Sequence, residues 1–85
     1  MLRLATRHRE QDREALVAAS RLTPREREVL RALAKGLNDK EIAQHLYIST
    51  ETARTHMVNI LAKLGVESRL QALVFAVRHG LVTID

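Results

Sequence analysis

The chain has 85 residues, which suffices for one small domain. It contains no cysteine, so disulfides and thiolate metal sites are excluded, and its mostly aliphatic and alanine apolar content favours helices. The formal net charge of +4 and the sequence pI of about 10.3 suit a polyanionic partner without identifying one, since many small domains are basic.

The first 20 residues are rich in Arg, Glu and Ala, and their apolar cluster is limited to Leu16, Val17 and Ala18 after Leu4. They lack the apolar segment of a signal peptide, and no apolar run in the chain approaches the roughly 18 residues of a membrane helix. We therefore expect a cytoplasmic protein without a membrane partner. Residues 9–19 have helical character, and we interpret residues 1–20 as a linker or weakly docked N-terminal helix before a domain at residues 21–85.

Capping sequences divide the remainder of the chain into four helices. The most complete, Thr23-Pro24-Arg25-Glu26, supplies an N-cap threonine, a proline at the first helical position and a glutamate that closes a capping box. An acid or amide also stands three residues after the caps of the second and fourth helices. The predicted N-caps are Thr23, Asn38, Ser49 and Ser68, and the predicted stops are Gly36, Gly65 and Gly80.

The connections between these helices are short and no strand alternation appears, so the sequence predicts an all-α domain of four helices. About three residues separate the second helix from the third, which is the spacing of a helix-turn-helix.

The third helix lies in the most informative stretch, ISTETARTHMVNILAK at residues 48–63. One narrow face is apolar and predicts the core side: Ala53, Met57, Ile60, Leu61 and Leu64. The opposite face is slim: Thr52, Thr55, Val58, Asn59 and Ala62, flanked by Arg54, His56 and Lys63. No acid follows Glu51 in this helix, so its outer face is suited to enter a DNA major groove.

The fourth helix is apolar over a wider arc than one core contact needs. Its Ala72, Phe75 and Ala76 side can face the core. The side formed by Leu70, Val74 and Val77 then requires another cover. A second copy of the helix, giving a twofold dimer, is one solution, and the alternative is a tail that folds back through Leu81 and Ile84.

Two segments, LTPREREVLRALAKGLNDKEIAQHLYIS and TARTHMVNILAKLGVESRLQALVFA, closely resemble the LuxR/GerE-type helix-turn-helix domain. This domain is the DNA-binding output domain of NarL/FixJ-class response regulators and of quorum-sensing regulators. The resemblance covers about residues 22–81 and is specific, because LTPRE, the KG-to-KEIA spacing, T-x-R-T-H and NILAKLGV-x-SR occur in order. It implies that the third helix reads DNA and that the fourth pairs two copies.

The resemblance also implies roles for individual residues. Base contacts are expected at Arg54, Thr55 and Val58, and phosphate contacts at Lys40, Thr50, Thr52, His56, Asn59 and Lys63. Arg54 suits guanine, to which an arginine can donate two hydrogen bonds, and its alternatives are a solvated side chain or a pair with Glu51. Val58 stands where the family more often has a small polar or basic residue, so an apolar contact to a thymine methyl would replace a hydrogen bond there. Ala53 stands where valine is common.

These observations predict a DNA-binding domain of a transcription regulator that binds an inverted-repeat operator as a homodimer, as the output domain of a two-component response regulator. The receiver or sensor domain of such a regulator would lie outside this chain, and the alternative is a small stand-alone regulator. In both cases the partner would be double-stranded DNA. The alternative is a protein-interaction module that uses the apolar fourth helix.

An enzyme is not expected, because no catalytic arrangement of side chains and no phosphate loop appears. A cofactor and a metal are not expected either, because the histidines lack ligand spacing. These histidines are His8, His45, His56 and His79.

Overall fold

A computed structural model describes residues 13–83 of the chain, and these residues form five helices without a strand. Residues 13–20 are helical and form the described part of α1. The others are α2 (Pro24–Ala34), α3 (Asp39–Leu46), α4 (Thr50–Leu64) and α5 (Arg69–Arg78). The four helices predicted from the capping sequences are α2 to α5, and the all-α prediction is confirmed. His8, Ile84 and the first residues of the predicted N-terminal helix lie outside the described part.

The predicted N-caps begin the helices at the expected residues. In α2 the Glu26 N–H donates to Thr23 Oγ1 over 3.1 Å, and the Thr23 N–H donates to Glu26 Oε1 over 2.8 Å. Asn38 and Glu41 form the same reciprocal box before α3. Backbone N–H groups that a helix start leaves without acceptors are thereby satisfied.

The box predicted before α5 is half correct. The Gln71 N–H donates to Ser68 Oγ over 3.1 Å, as a serine cap requires. The Gln71 side chain, however, accepts its hydrogen bond from the Glu67 N–H over 2.7 Å, one residue earlier than the box predicts. The glutamine therefore secures the residue before the cap.

A single core lies between α2, α3, α4 and α5. Its largest fully buried side chains are Val29, Leu30, Ile42, Met57 and Ile60. Among the buried alanines, Ala43, Ala53, Ala72 and Ala76 lie on α3, α4 and α5, and their small side chains allow these helices to cross closely. α4 packs against α2, α3 and α5, so its orientation is determined from three sides.

The N-terminal helix is docked more firmly than its thin apolar pattern suggested. Ala15 and Ala19 are buried, Ala18 packs against the core, and Arg27 Nη2 donates to the Ala19 carbonyl over 3.4 Å. Small side chains make this contact, whereas the larger Leu16 remains exposed.

The end of the described chain packs away from the apolar side of α5. Val82 is buried and Leu81 packs against the core, while Leu70, Val74 and Val77 remain 70%, 49% and 42% exposed. Residues 81–83 thus leave this side of α5 open.

Candidate nucleic-acid interface

The outer side of α4 is open along its length. We call five of the exposed residues of α4 the outward ridge: Thr52, Thr55, Val58, Asn59 and Ala62. The ridge faces away from the core because Ala53, Met57, Ile60 and Leu64 on the other side of the helix are buried. Val58 is 64% exposed, so the helix presents an apolar side chain among polar ones.

The start of α4 lies beside the outward ridge and is tightly capped. Ser49 Oγ accepts from the Thr52 N–H over 3.0 Å and lies 2.8 Å from Thr52 Oγ1, to which it donates. The N–H groups of the first turn point out of the helix, where its dipole favours a negative charge. Thr50 is half-buried in this turn, so a phosphate would meet it through backbone groups as much as through its hydroxyl.

Three side chains predicted to contact bases, Arg54, Thr55 and Val58, are exposed on one side of the molecule. The Thr55 hydroxyl donates to the Glu51 carbonyl over 3.1 Å, so its oxygen is left as an acceptor. The Arg54 side chain is 65% exposed, and its Nε lies 3.4 Å from Asp39 Oδ2 rather than beside Glu51. Arg54 therefore has an acidic partner on α3, whereas the sequence suggested Glu51 as its possible partner.

Asp39 also binds a second arginine. Arg69 Nη2, at the start of α5, donates to Asp39 Oδ2 over 2.6 Å. The hydrogen bond from Arg69 is the main reason that the pKa of Asp39 lies below its usual value, and it exceeds the opposing effect of burial. The same contact raises the pKa of Arg69. Sequence reasoning missed this cluster because its members lie 15 and 30 residues apart, where no local spacing indicates a pair.

The residues predicted to contact phosphate differ in their surroundings. Lys40 and Asn59 are exposed, and His56 is half-buried. Their role in binding phosphate stays a prediction.

Lys63 lies in a partly buried ion pair. Its Nζ donates to Glu26 Oε1 on α2 over 2.7 Å, and its side chain is only 32% exposed. Glu26 is 3% exposed, so it depends on this cation to balance a buried charge. Lys63 therefore helps to pack α4 on α2, and its predicted phosphate contact stays a prediction.

The ionisation of Glu26 reflects the same pair. Burial alone would raise the pKa of its carboxyl, but the hydrogen bonds from Lys63 and the Thr23 N–H outweigh burial and lower it. Glu26 thus joins the capping box of α2 to the flank of α4.

No group of three or more potential metal ligands occurs within residues 13–83. The ring of His79 instead lies against Phe75, with centroids 4.7 Å apart. None of the helices in this part of the chain has the length and apolar character needed to cross a bilayer.

We predict that stability falls in acid because of Glu26. Its folded pKa is lowered, so its contribution is fully present above its unfolded pKa, near 4.5, and is lost as the pH falls through the folded pKa. At pH 7, Glu26→Gln should lower the free energy of unfolding by about 1.5–3 kcal/mol, the size expected for a hydrogen bond to a charged group. Urea unfolding from pH 7 to pH 3 should also show a shallower loss of stability in this variant.

Glu28→Gln is the matched control, because Glu28 lies on the same helix in an exposed pair with Arg25. It should keep the wild-type dependence on pH. If the stability of Glu26→Gln fell with pH as steeply as that of the wild type, the pair of Glu26 and Lys63 would not contribute to acid sensitivity.

Comparison with known proteins places this geometry in a family. Residues 20–76 match the family described as "Bacterial regulatory proteins, luxR family". The transcriptional regulatory protein LnrK of Bacillus subtilis (strain 168) is 52% identical over 59 residues, which make up 69% of this chain and 27% of that protein. The response regulator protein VraR of Staphylococcus aureus (strain NCTC 8325 / PS 47) is 46% identical over 61 residues, 72% of this chain and 29% of that protein.

A solved structure of the transcription factor GerE superposes with a TM-score of 0.70 at 41% identity, and the match covers 75% of this chain and 96% of that one. The chain spans less than a third of the length of LnrK and VraR. The family is one of transcription regulators and not of enzymes. The chain belongs to the LuxR family of bacterial regulatory proteins, and it carries that family's DNA-binding helix-turn-helix domain.

Proposed function

We propose that α4 lies in the major groove of double-stranded DNA and that the outward ridge, together with Arg54 at its edge, reads base edges there. The observation that carries this proposal is the two-sided character of α4: one side is buried in the core, and the other is exposed and has no acid after Glu51. An α-helix fits the major groove, where each base pair presents a distinct pattern of hydrogen-bonding groups.

Three side chains carry the proposed base preference. Arg54 donates to guanine O6 and N7, the commonest specific contact of an arginine with DNA. Thr55 offers its oxygen as an acceptor, because its hydroxyl proton is engaged within the helix. Val58 contacts a thymine methyl, since an exposed valine has no hydrogen bond to offer.

Backbone phosphates supply most of the affinity in this proposal. Their contacts are assigned to Lys40, Thr50, Thr52, His56, Asn59 and, beside its pair with Glu26, Lys63. The N-terminal turn of α4 adds free N–H groups and the positive end of the helix dipole. Because phosphate neutralisation releases counterions, binding should weaken steeply as the salt concentration rises.

The exposed side of α5 supports a homodimer. Leu70, Val74 and Val77 form an apolar stripe that residues 81–83 leave open. A second copy of the stripe would cover it around a twofold axis, and two copies of α4 would then enter successive major grooves about 34 Å apart on an inverted repeat. VraR is named a response regulator and is about three times as long as the stretch it shares with this chain, so we place this domain at the output end of such a regulator.

The same stripe supports the second candidate function, a protein-interaction module. Under that reading the apolar side of α5 docks on another protein, and the outward ridge of α4 has no ligand. Retention on DNA that weakens with added salt distinguishes the two, because only the first reading requires it.

Arg54→Ala should relax base preference and leave general DNA binding largely intact. A bidentate arginine–guanine contact is worth about 1–3 kcal/mol, so discrimination at one base pair should fall about 5- to 150-fold. Gel-shift titrations against a set of duplexes that differ at single positions measure this. Arg21→Ala, at an exposed position in the turn before α2, controls for the lost charge. The base-reading role of Arg54 is refuted if affinity falls by the same factor on every duplex.

Val74→Asp should abolish cooperative binding to an inverted repeat. A charge in the middle of the stripe would have to be desolvated against its own symmetry copy, whereas in the monomer it stays in water and leaves the fold intact. Binding to an isolated half-site should match wild type, and binding to the full repeat should fall to the half-site level, with Thr83→Asp as an exposed control outside the stripe. Unchanged cooperativity in Val74→Asp would exclude this face of α5 as the pairing surface.

A further inference from the structure

Asp39, Arg54 and Arg69 join three helices at the edge of the outward ridge, and we call them the Asp39 cluster. Asp39 Oδ2 accepts from Arg69 Nη2 over 2.6 Å and lies 3.4 Å from Arg54 Nε. The carboxylate of α3 is thus placed between the start of α5 and the first turns of α4. A short contact fixes Asp39 to Arg69, and a longer one reaches Arg54.

The fold positions the Asp39 side chain before Arg54 engages it. It is only 14% exposed, its Oδ1 is buried without a partner among the described residues, and it stands at the first position of α3. The positive end of that helix and the guanidinium of Arg69 both favour its anion. The lowered pKa of Asp39 agrees with a carboxylate that is charged at neutral pH. Little further ordering of Asp39 is needed when Arg54 binds, so the entropic cost falls mainly on the arginine.

The atom through which Arg54 contacts Asp39 determines which of its N–H donors remain available to a ligand. The contact uses Nε, and the side chain is otherwise 65% exposed. A guanidinium is planar and carries five N–H donors in a fixed arrangement. With Nε directed at Asp39, both terminal amino groups, Nη1 and Nη2, remain available in the same plane. Two parallel donors are what guanine O6 and N7 accept.

We propose that Asp39 is a positioning residue for Arg54, which holds the guanidinium plane so that Nη1 and Nη2 are presented to one base pair. The inference rests on the proposed function, in which Arg54 reads guanine, and it adds a specificity role for a residue of α3 that itself touches no base. In water an exposed ion pair of this kind contributes little, but DNA binding removes water from Arg54 and strengthens the contact.

The proposal predicts that removal of the Asp39 carboxylate lowers base preference without lowering the general affinity for DNA. Asp39 is an anion near the phosphates of bound DNA, so its removal should leave general affinity unchanged or raise it. Discrimination at the base pair read by Arg54 should nevertheless fall, because the guanidinium then samples several orientations. A residue that only stabilised the fold would instead weaken binding to all duplexes together.

The test compares Asp39→Asn with Glu51→Gln on duplexes that differ only at the base pair where Arg54→Ala loses discrimination. Both variants remove one negative charge near the start of α4, but Glu51 lies outside the Asp39 cluster. We expect Asp39→Asn to lose discrimination at this base pair by roughly fivefold or more, within the range of a bidentate contact. Glu51→Gln should keep it. Asp39→Ser is a second variant, and thermal unfolding of each verifies that the domain is folded.

A double-mutant cycle completes the test. Once Arg54 is alanine, adding Asp39→Asn should cause no further loss of discrimination, because the positioned group is gone. The inference is overturned if folded Asp39 variants keep wild-type discrimination, if they lose the same amount without Arg54, or if they weaken every duplex equally. Absence of salt-dependent DNA binding by the wild-type chain would overturn the proposed function itself, and the inference with it.

Discussion

Burial of one side of α4 is the constraint on which the rest of the structure depends. Ala53, Met57, Ile60 and Leu64 are almost fully enclosed, so the helix cannot rotate about its axis without exposing apolar surface. Complete burial of a large aliphatic side chain is worth about 1.5–3 kcal/mol, and several act together here. The same constraint therefore directs the outward ridge at solvent, where we propose that it meets DNA.

Two carboxylates on the neighbouring helices secure the flanks of α4. Glu26 on α2 binds Lys63 near the end of the helix, and Asp39 on α3 lies beside Arg54 near its start. The first pair is largely buried and links α4 to a capping box, so we regard it as structural. The second is exposed on the arginine side and lies next to the outward ridge, where it can influence recognition. The two ion pairs are chemically similar, but Arg54 is 65% exposed and Lys63 is 32% exposed, and we propose that their roles differ for this reason.

Local patterns predicted most of the fold. Thr23 and Ser49 begin helices at the expected positions because a cap is decided by residues within one turn. The buried side and the exposed side of α4 were predicted in the same way, from the helical spacing of apolar residues. The partners of Arg54 and Lys63 were not predictable, since Asp39 and Glu26 lie 15 and 37 residues away and meet them only after the helices pack. A phosphate role for Lys63 followed from its place on the outer flank, without knowledge of the buried acid beside it.

The central claim is that the outward ridge of α4 is the surface that meets DNA. It is tested most directly by NMR titration of the ¹⁵N-labelled chain with a duplex selected from a random pool for binding. The account predicts that the largest amide shift changes fall in the first turn of α4 and along the outward ridge, that they diminish at high salt, and that the amide of Ile60 in the core moves little. Shift changes confined to α5, with α4 unaffected, would contradict it.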